Sequence, residues 1–428
     1  MSLDAPSAGR PLRWALLLGA AAVMILRAPV YFSAPSFWAE EGTLYFGLAW
    51  THPVREALAY RPAGYLLLCA NLATTLAAAL VHGGLLPLAR APLVTVLASL
   101  AVQLLPVAVI AWSRAPFWDG ALRRGVGVAI VLFGALTDEI WLNTINCQPW
   151  LVVAAALLLL EPVDARSGGR WCAGLLLLAG LSAAAASALV PLFAWRAWRA
   201  RTTRSIVQAG LLAACAVVQL GCLWSAAHGG GALPQRSAGL DLGVFAATVW
   251  TRTLIVPALG TDVGQAASVP LRHLAGVPLG GALLLALAAG AIAWLARGLR
   301  AAERVALVGS YVVVTTLTLL TAVGDKAMLL GSVWASSRYV YAPGVLMLLM
   351  LLGGVRQGNG LVRRVVCVAL LGVGLVQGVA SYRSSLRWQP SWPSWPDEVR
   401  AWEANPSRPL HIWPPPWTVS LVRPKGAA

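Results

Sequence analysis

Long apolar runs, broken again and again by short connectors that carry arginine, decide most of what this chain can fold into. They lie at about 12–32, 64–82, 92–112, 125–141, 149–161, 171–195, 206–226, 278–296, 305–323, 339–354 and 364–381. Most approach the ~20 apolar residues that a membrane-crossing helix needs. With 59% hydrophobic and 11% charged residues, the chain is far from the roughly 25% charge of a water-soluble domain. It reads as an all-α polytopic membrane protein, and its first partner is the lipid bilayer. The net charge of +16 then marks basic cytoplasmic loops rather than a nucleic-acid groove, since no block of consecutive basic residues occurs. No nucleic-acid partner is expected.

The arginines also set the topology. Arg10 and Arg13 place the N-terminus in the cytoplasm, and 12–32 is too long for a signal-peptide core, so it reads as a retained first span. If 64–82 crossed next, every arginine-rich connector after it would face outward. If 64–82 instead lies along the outer interface as a juxtamembrane helix, the connectors at 114–124, 166–170, 196–204, 297–304 and 356–364 all fall inside, as the positive-inside rule asks. Run 171–195 has arginines at both ends. It reads as a hairpin of two short helices, broken near Gly180-Leu-Ser182, crossing or re-entrant, and at that depth either buried in protein or lining a cavity. Counting the hairpin as two gives about 11 transmembrane helices in a domain over 1–381. That domain has a first periplasmic loop with juxtamembrane helices at 33–91 and a second periplasmic loop at 227–277, amphipathic at 240–256. A Trp/Pro-rich tail, 382–428, ends outside. Its tryptophans (Trp388, Trp392, Trp395, Trp402, Trp413, Trp417) read as interfacial anchors, with stacking on sugar rings as the sharper reading.

Chemistry concentrates on the outer side. Phe37-Trp-Ala-Glu-Glu-Gly42 puts two of only 16 acidic residues side by side just after the first run. The plain reading is a helix N-cap for 42–58, with Gly42 giving freedom to turn. The sharper one is a catalytic carboxylate: Glu40 or Glu41 as general base, or as oxygen ligand to a divalent cation, one acting while the other orients. A second group is Asp138, Glu139, Asn143, Asn146 and Gln148, with Glu139, Asn143 and Asn146 on one face if a helix runs that far. It is either a self-satisfied polar turn or a contact to sugar hydroxyls. In a third group, Arg338 and Tyr339 open the run at 339–354, with Asp325 and Lys326 nearby. Arg338 is either a snorkelling anchor or a bidentate phosphate ligand. The six cysteines form no CxxC, and the histidines show no ligand spacing such as HExxH, so no zinc site or disulfide framework is expected. No GxxxxGK[ST] loop supports nucleotide binding.

The order of these features resembles the C-type (GT-C) glycosyltransferases, polytopic enzymes that use polyprenyl-linked sugars. It runs from a span to an outward acidic motif, an apolar juxtamembrane helix, Arg90-Ala-Pro92 at the next span, and a late Arg338-Tyr-Val-Tyr-Ala-Pro343. Arg61-Pro-Ala-Gly-Tyr65 stands where that superfamily has a proline-rich segment before the second span. The Phe-Trp-Ala-Glu-Glu-Gly and Asn-x-x-Asn-x-Gln stretches look like an uncharacterised bacterial membrane-protein group within it. The chain departs from the pattern in having Glu-Glu where Asp is common, and in lacking a second late proline.

The resemblance implies transfer of a sugar from a polyprenyl-phosphate donor to a glycan or lipid acceptor, at the periplasmic face of the bacterial inner membrane, in cell-envelope synthesis. Glu41, favoured slightly over Glu40, would be the base or metal ligand. Arg338 would hold the lipid phosphate, with Tyr339, Arg61, Glu139, Asn143, Asn146 and Gln148 as substrate contacts. Mg or Mn is the one cofactor it implies. The rival readings are a transporter or flippase of lipid-linked saccharides, and a non-catalytic scaffold of envelope assembly. Glu40, residue 140 and residue 400 are all expected on the periplasmic side.

Overall fold

In a computed structural model, residues 9–134, 136–163, 169–228, 241–322, 332–333, 336–384 and 391–422 are described. Asp325, Lys326 and Trp388, singled out above, lie outside the described residues. The chain is an all-α multi-pass membrane protein, with one short antiparallel ribbon, Leu410–His411 paired with Thr418–Val419, in the tail.

Two helices form its centre. In Gln148–Leu158 every residue from Pro149 to Leu158 is buried. In Ser337–Gly354 nearly every side chain is buried. The two pack together through Trp150 and Tyr341, whose ring centroids are 4.5 Å apart. Because these helices are wrapped by protein on all sides, they are apolar all round.

That arrangement corrects the expected count of about 11 spans. Among the described residues six helices are long and apolar enough to cross a membrane: Leu88–Trp112, Thr203–His228, Leu242–Leu259, Ala301–Thr321, Ser337–Gly354 and Leu361–Tyr382. A bent pair makes seven if it counts as one span. The other runs fold into shorter pieces. Run 125–141 is helical as Ala121–Phe133, 149–161 as Gln148–Leu158, and 278–296 as Gly280–Ala296. The first run gives Arg10–Arg27, 18 residues with arginine at both ends and Arg13 inside. Eleven residues of helix reach only about 16 Å, half a hydrocarbon core. Hydropathy overcounts here because a run buried in protein is as apolar as one buried in lipid.

The bent pair is Gly169–Ser182 and Ala184–Ala200, with 119° between its halves. It breaks at Ala183, one residue beyond the expected Gly180–Ser182. Both its ends sit together: Arg204 Nη2 lies 3.3 Å from Cys172 Sγ, so the chain returns towards the end from which it entered. At the tip the freed backbone is satisfied by protein. Gln219, buried within Thr203–His228, donates to Gly180 O (3.0 Å), while Ser182 Oγ accepts from Cys69 N (2.9 Å). Irregular backbone at depth requires such partners.

The connectors sort into two ends of the molecule. At one end arginines cap the carbonyls of neighbouring helices. Arg124 donates to Ile110 O, Ala111 O and Ser113 O, Arg196 to Leu158 O and Glu161 O, and Arg123 to Leu352 O. Arg356 grips Glu303 with two bonds of 2.5 Å. At the other end lie the Phe37–Gly42 motif, the turn 137–146, Ser336–Arg338 and the tail. Helix Leu242–Leu259 also touches that end, since Arg252 donates to Ser332 O (2.7 Å).

The tail is a small clasp. Trp395, Trp402 and Trp413 are buried, so they are not the interfacial anchors expected from sequence. Trp395 stacks edge-on against Phe37 at 5.2 Å and donates its indole N–H to Leu88 O (2.9 Å). Phe37, Trp395 and Trp402, with Phe46, Trp50 and Ile412, form a second core beside the bundle, while Trp413 packs into the main core.

Candidate functional site

The acidic pair sits on a forced turn. Ala39 has φ 43°, a left-handed conformation that non-glycine residues avoid. Beyond it, Glu41–Phe46 is a π-helical segment, a widened turn often met at functional sites. Glu40 stands at the start of this segment, but its side chain makes no capping bond. Gly42 is there for close approach rather than for turning: a Cβ would lie 2.6 Å from Ile412 Cδ1 and 2.8 Å from Phe37 Cβ.

The two carboxylates have opposite surroundings. Glu41 is 1% exposed. Its Oε1 accepts from Thr144 N (2.8 Å) and from Thr144 Oγ1, and its Oε2 from Thr95 Oγ1 (3.2 Å) and Trp38 N (3.3 Å). Burial pushes its pKa up, against the opposing pull of these four donors. Such a group joins three segments and has no room to receive a substrate. Glu40 is half-buried, and among the described residues it has no hydrogen-bond or ion-pair partner. Beside it is Tyr45, buried, its phenol pushed up by burial and by nearby Tyr65, Tyr60 and Glu40. The rings of Tyr45 and Tyr60 meet edge-on at 5.6 Å.

The second group is a turn rather than a helical face. Asn143 Nδ2 donates to Glu139 O (3.0 Å) and Trp141 O (3.1 Å). Its Oδ1 accepts from Asn146 N (3.0 Å), and Asn146 Nδ2 donates to Glu139 O (3.1 Å). Both amides are thus engaged in shaping the turn, where Leu142 sits at φ 46°. Gln148 reaches the other way, to Tyr65 Oη at 3.3 Å. Arg61 is drawn aside to Cys222 Sγ (3.5 Å) and Ser225 Oγ (3.4 Å).

The Glu139 carboxylate faces the third group. Arg338 Nη1 is 3.0 Å from Glu139 Oε1, and Arg338 is 39% exposed at its side chain. Ser337 Oγ and Arg338 N also approach Glu139 Oε2, both at 3.4 Å. The guanidinium lies 5.1 Å from the ring of Tyr339, and Ser336, just before it, has φ 58°. Thus the bond from Thr144 to Glu41 joins the first and second groups, and the Glu139–Arg338 pair joins the second and third. Ala39, Leu142 and Ser336 are three of the five positive-φ non-glycine residues among the described residues, and each adjoins one of the three groups. Backbone strain gathers where side chains are held for use.

Sequence reasoning missed Tyr45, Thr95, Thr144 and Arg252. The buried Arg252 lies in the field of Asp138 and Glu139. Its signal was present, an arginine inside an apolar stretch. Thr95 and Thr144 carried none, because their role depends on where Glu41 falls.

Among the described residues, the donors around Glu41 and Glu139 do not suit a divalent ion. Glu41's oxygens face four N–H and O–H donors, Glu139 is paired to Arg338, and among the described residues no group of three His, Cys, Asp or Glu side chains converges. Searches of protein-family models, curated proteins and solved structures return no match to this chain.

Proposed function

We propose that this chain is a membrane glycosyltransferase of the C type, moving a sugar from a polyprenyl-phosphate donor to a hydroxyl acceptor at the periplasmic face of the bacterial inner membrane. The observation that carries the reading is Glu40, a half-buried carboxylate without a partner among the described residues, on the same end as an arginine held in place by Glu139. In this reading Glu40 takes the proton from the acceptor hydroxyl. The acceptor oxygen bonds to the anomeric carbon as the bond from that carbon to the phosphate oxygen breaks. Arg338 meets the charge left on the departing lipid phosphate. Glu41 is structural in this reading, tying the turn to Thr144 and Thr95. No step passes through a metal ion.

The assignment within the pair thus reverses the one that the resemblance favours, because an accessible base needs a path to its substrate. The end that holds the site would face the periplasm with the tail, and the arginine-capped end would face the cytoplasm. The bent pair Gly169–Ser182 and Ala184–Ala200 favours the second reading, a transporter or flippase of lipid-linked saccharides, because transporters place broken helices around their cargo. The decisive experiment is release of polyprenyl phosphate from a set of sugar-loaded donors by purified protein, compared with Glu40→Gln. Transfer by the wild type that falls 10²–10⁴-fold in the variant supports the enzyme. Counterflow of the intact lipid-linked sugar without bond cleavage supports the transporter.

A further inference from the structure

We propose that the tail ribbon, residues 410–419, is the positioning element for Glu40, an assignment that rests on Glu40 being the working carboxylate. The ribbon meets the chain on both sides of Ala39. Ala39 N–H donates to Trp413 O at 2.5 Å, and Trp413 N–H donates to Phe37 O at 3.1 Å, a parallel bridge between Trp38 and Trp413. Three residues beyond Ala39, Ile412 fills the space over Gly42, and Thr43 Oγ1 donates to Thr418 O at 2.6 Å.

The ribbon is itself fixed. Trp413 Nε1 donates to Pro393 O at 2.8 Å, Ile412 N to Trp417 O at 3.0 Å, and Glu398 accepts from His411 N at 3.0 Å and from Arg408 at 2.8 Å. An alanine left to itself disfavours the left-handed conformation by roughly tenfold. The bridge to Trp413 supplies what holds Ala39 there, and the direction in which Glu40 leaves the backbone follows from it. Glu41 shares one bond with the bridged strand, from Trp38 N, but is held mainly from outside it, through Thr144 and Thr95. Loss of the ribbon therefore frees Glu40 before it frees Glu41.

The test compares Ile412→Ala, which loosens the ribbon, with Ala39→Val, which leaves the ribbon intact but resists the left-handed backbone. Each is read twice: by turnover, and by water-soluble carbodiimide labelling of the 37–46 peptide followed by mass spectrometry, which needs no turnover. In the wild type Glu40 labels and Glu41 does not. In both variants Glu40 should label several-fold faster and kcat should fall about tenfold with donor KM unchanged. Adding Ala39→Gly to Ile412→Ala should restore most of both, since glycine takes positive φ freely. Wild-type labelling and kcat in Ile412→Ala and Ala39→Val would overturn the proposal. So would a double variant worse than Ile412→Ala, the result expected if the ribbon contributes stability alone. Changed labelling with glycine rescue, in a protein that transfers no sugar, keeps the positioning role and removes the glycosyltransferase reading.

Discussion

Glu40 and Glu41 are neighbours in sequence with opposite chemistry, and the difference comes from their partners: Thr144, Thr95 and Trp38 N surround Glu41, and none of them reaches Glu40. Two substitutions separate them. Glu40→Gln should remove turnover while leaving thermal stability near wild type, because its carboxylate has no partner to lose among the described residues. Glu41→Gln offers one acceptor oxygen where two are used, so it should lower stability by about 1–3 kcal/mol with kcat per folded molecule largely kept; paired melting curves and rate measurements check both. The pH dependence has a definite sign. Glu41's folded pKa lies above its unfolded value, so its contribution to stability is complete below about pH 4.5 and is lost as pH rises through the raised value. The wild-type melting temperature should carry this fall with rising pH, and Glu41→Gln should lack it. At the third group, Arg338→Lys keeps the charge and loses the planar fork. Turnover should drop with expression unchanged, and full activity in the lysine variant would leave Arg338 as an anchor.

Among the elements, helix Leu361–Ser384 depends on contacts that only glycine permits. Gly374 and Gly378 are spaced four apart, the small-xxx-small pattern of close membrane helices. A Cβ at Gly378 would lie 1.6 Å from Phe133 O, and one at Gly374 2.3 Å from Pro257 O. Both obstacles are backbone, so neither can rotate away. Gly378→Leu should therefore push this helix off Ala121–Phe133 and lower the melting temperature sharply, whereas Gly372→Leu, with open space around it, should change little. Such pairings show where sequence stops. The apolar runs, the arginine connectors and the hairpin break near Ser182 could be read one segment at a time. The burial of Gln148–Leu158 could not, because nothing in those residues says whether their apolar surroundings are lipid or protein. The tryptophans of the tail misled for the same reason. The candidate site was half visible: Glu40, Glu139 and Arg338 stood out as charges in an apolar chain, while the contrast within the acidic pair needed Thr95 and Thr144, residues 54 and 103 positions from Glu41.

For the whole molecule, the two ends make orientation directly measurable. All six cysteines are buried, so single surface cysteines can be labelled against a low background. Glu56→Cys and Arg400→Cys, near the motif and on the tail, should react with an impermeant thiol reagent applied to intact spheroplasts. Arg201→Cys and Ala301→Cys, at the arginine-capped end, should react only after the membrane is opened. The reverse pattern would place the candidate site in the cytoplasm.

The clasp between Thr43 and Thr418 spans 375 positions, which gives it a meaning during synthesis. At about 5–20 residues per second, the ribbon follows the motif out of the ribosome by roughly 20–75 s. Throughout that interval the spans are entering the bilayer, yet the turn bearing Glu40 has nothing to close against. A nascent or prematurely terminated chain would thus sit in the membrane with this turn unclosed.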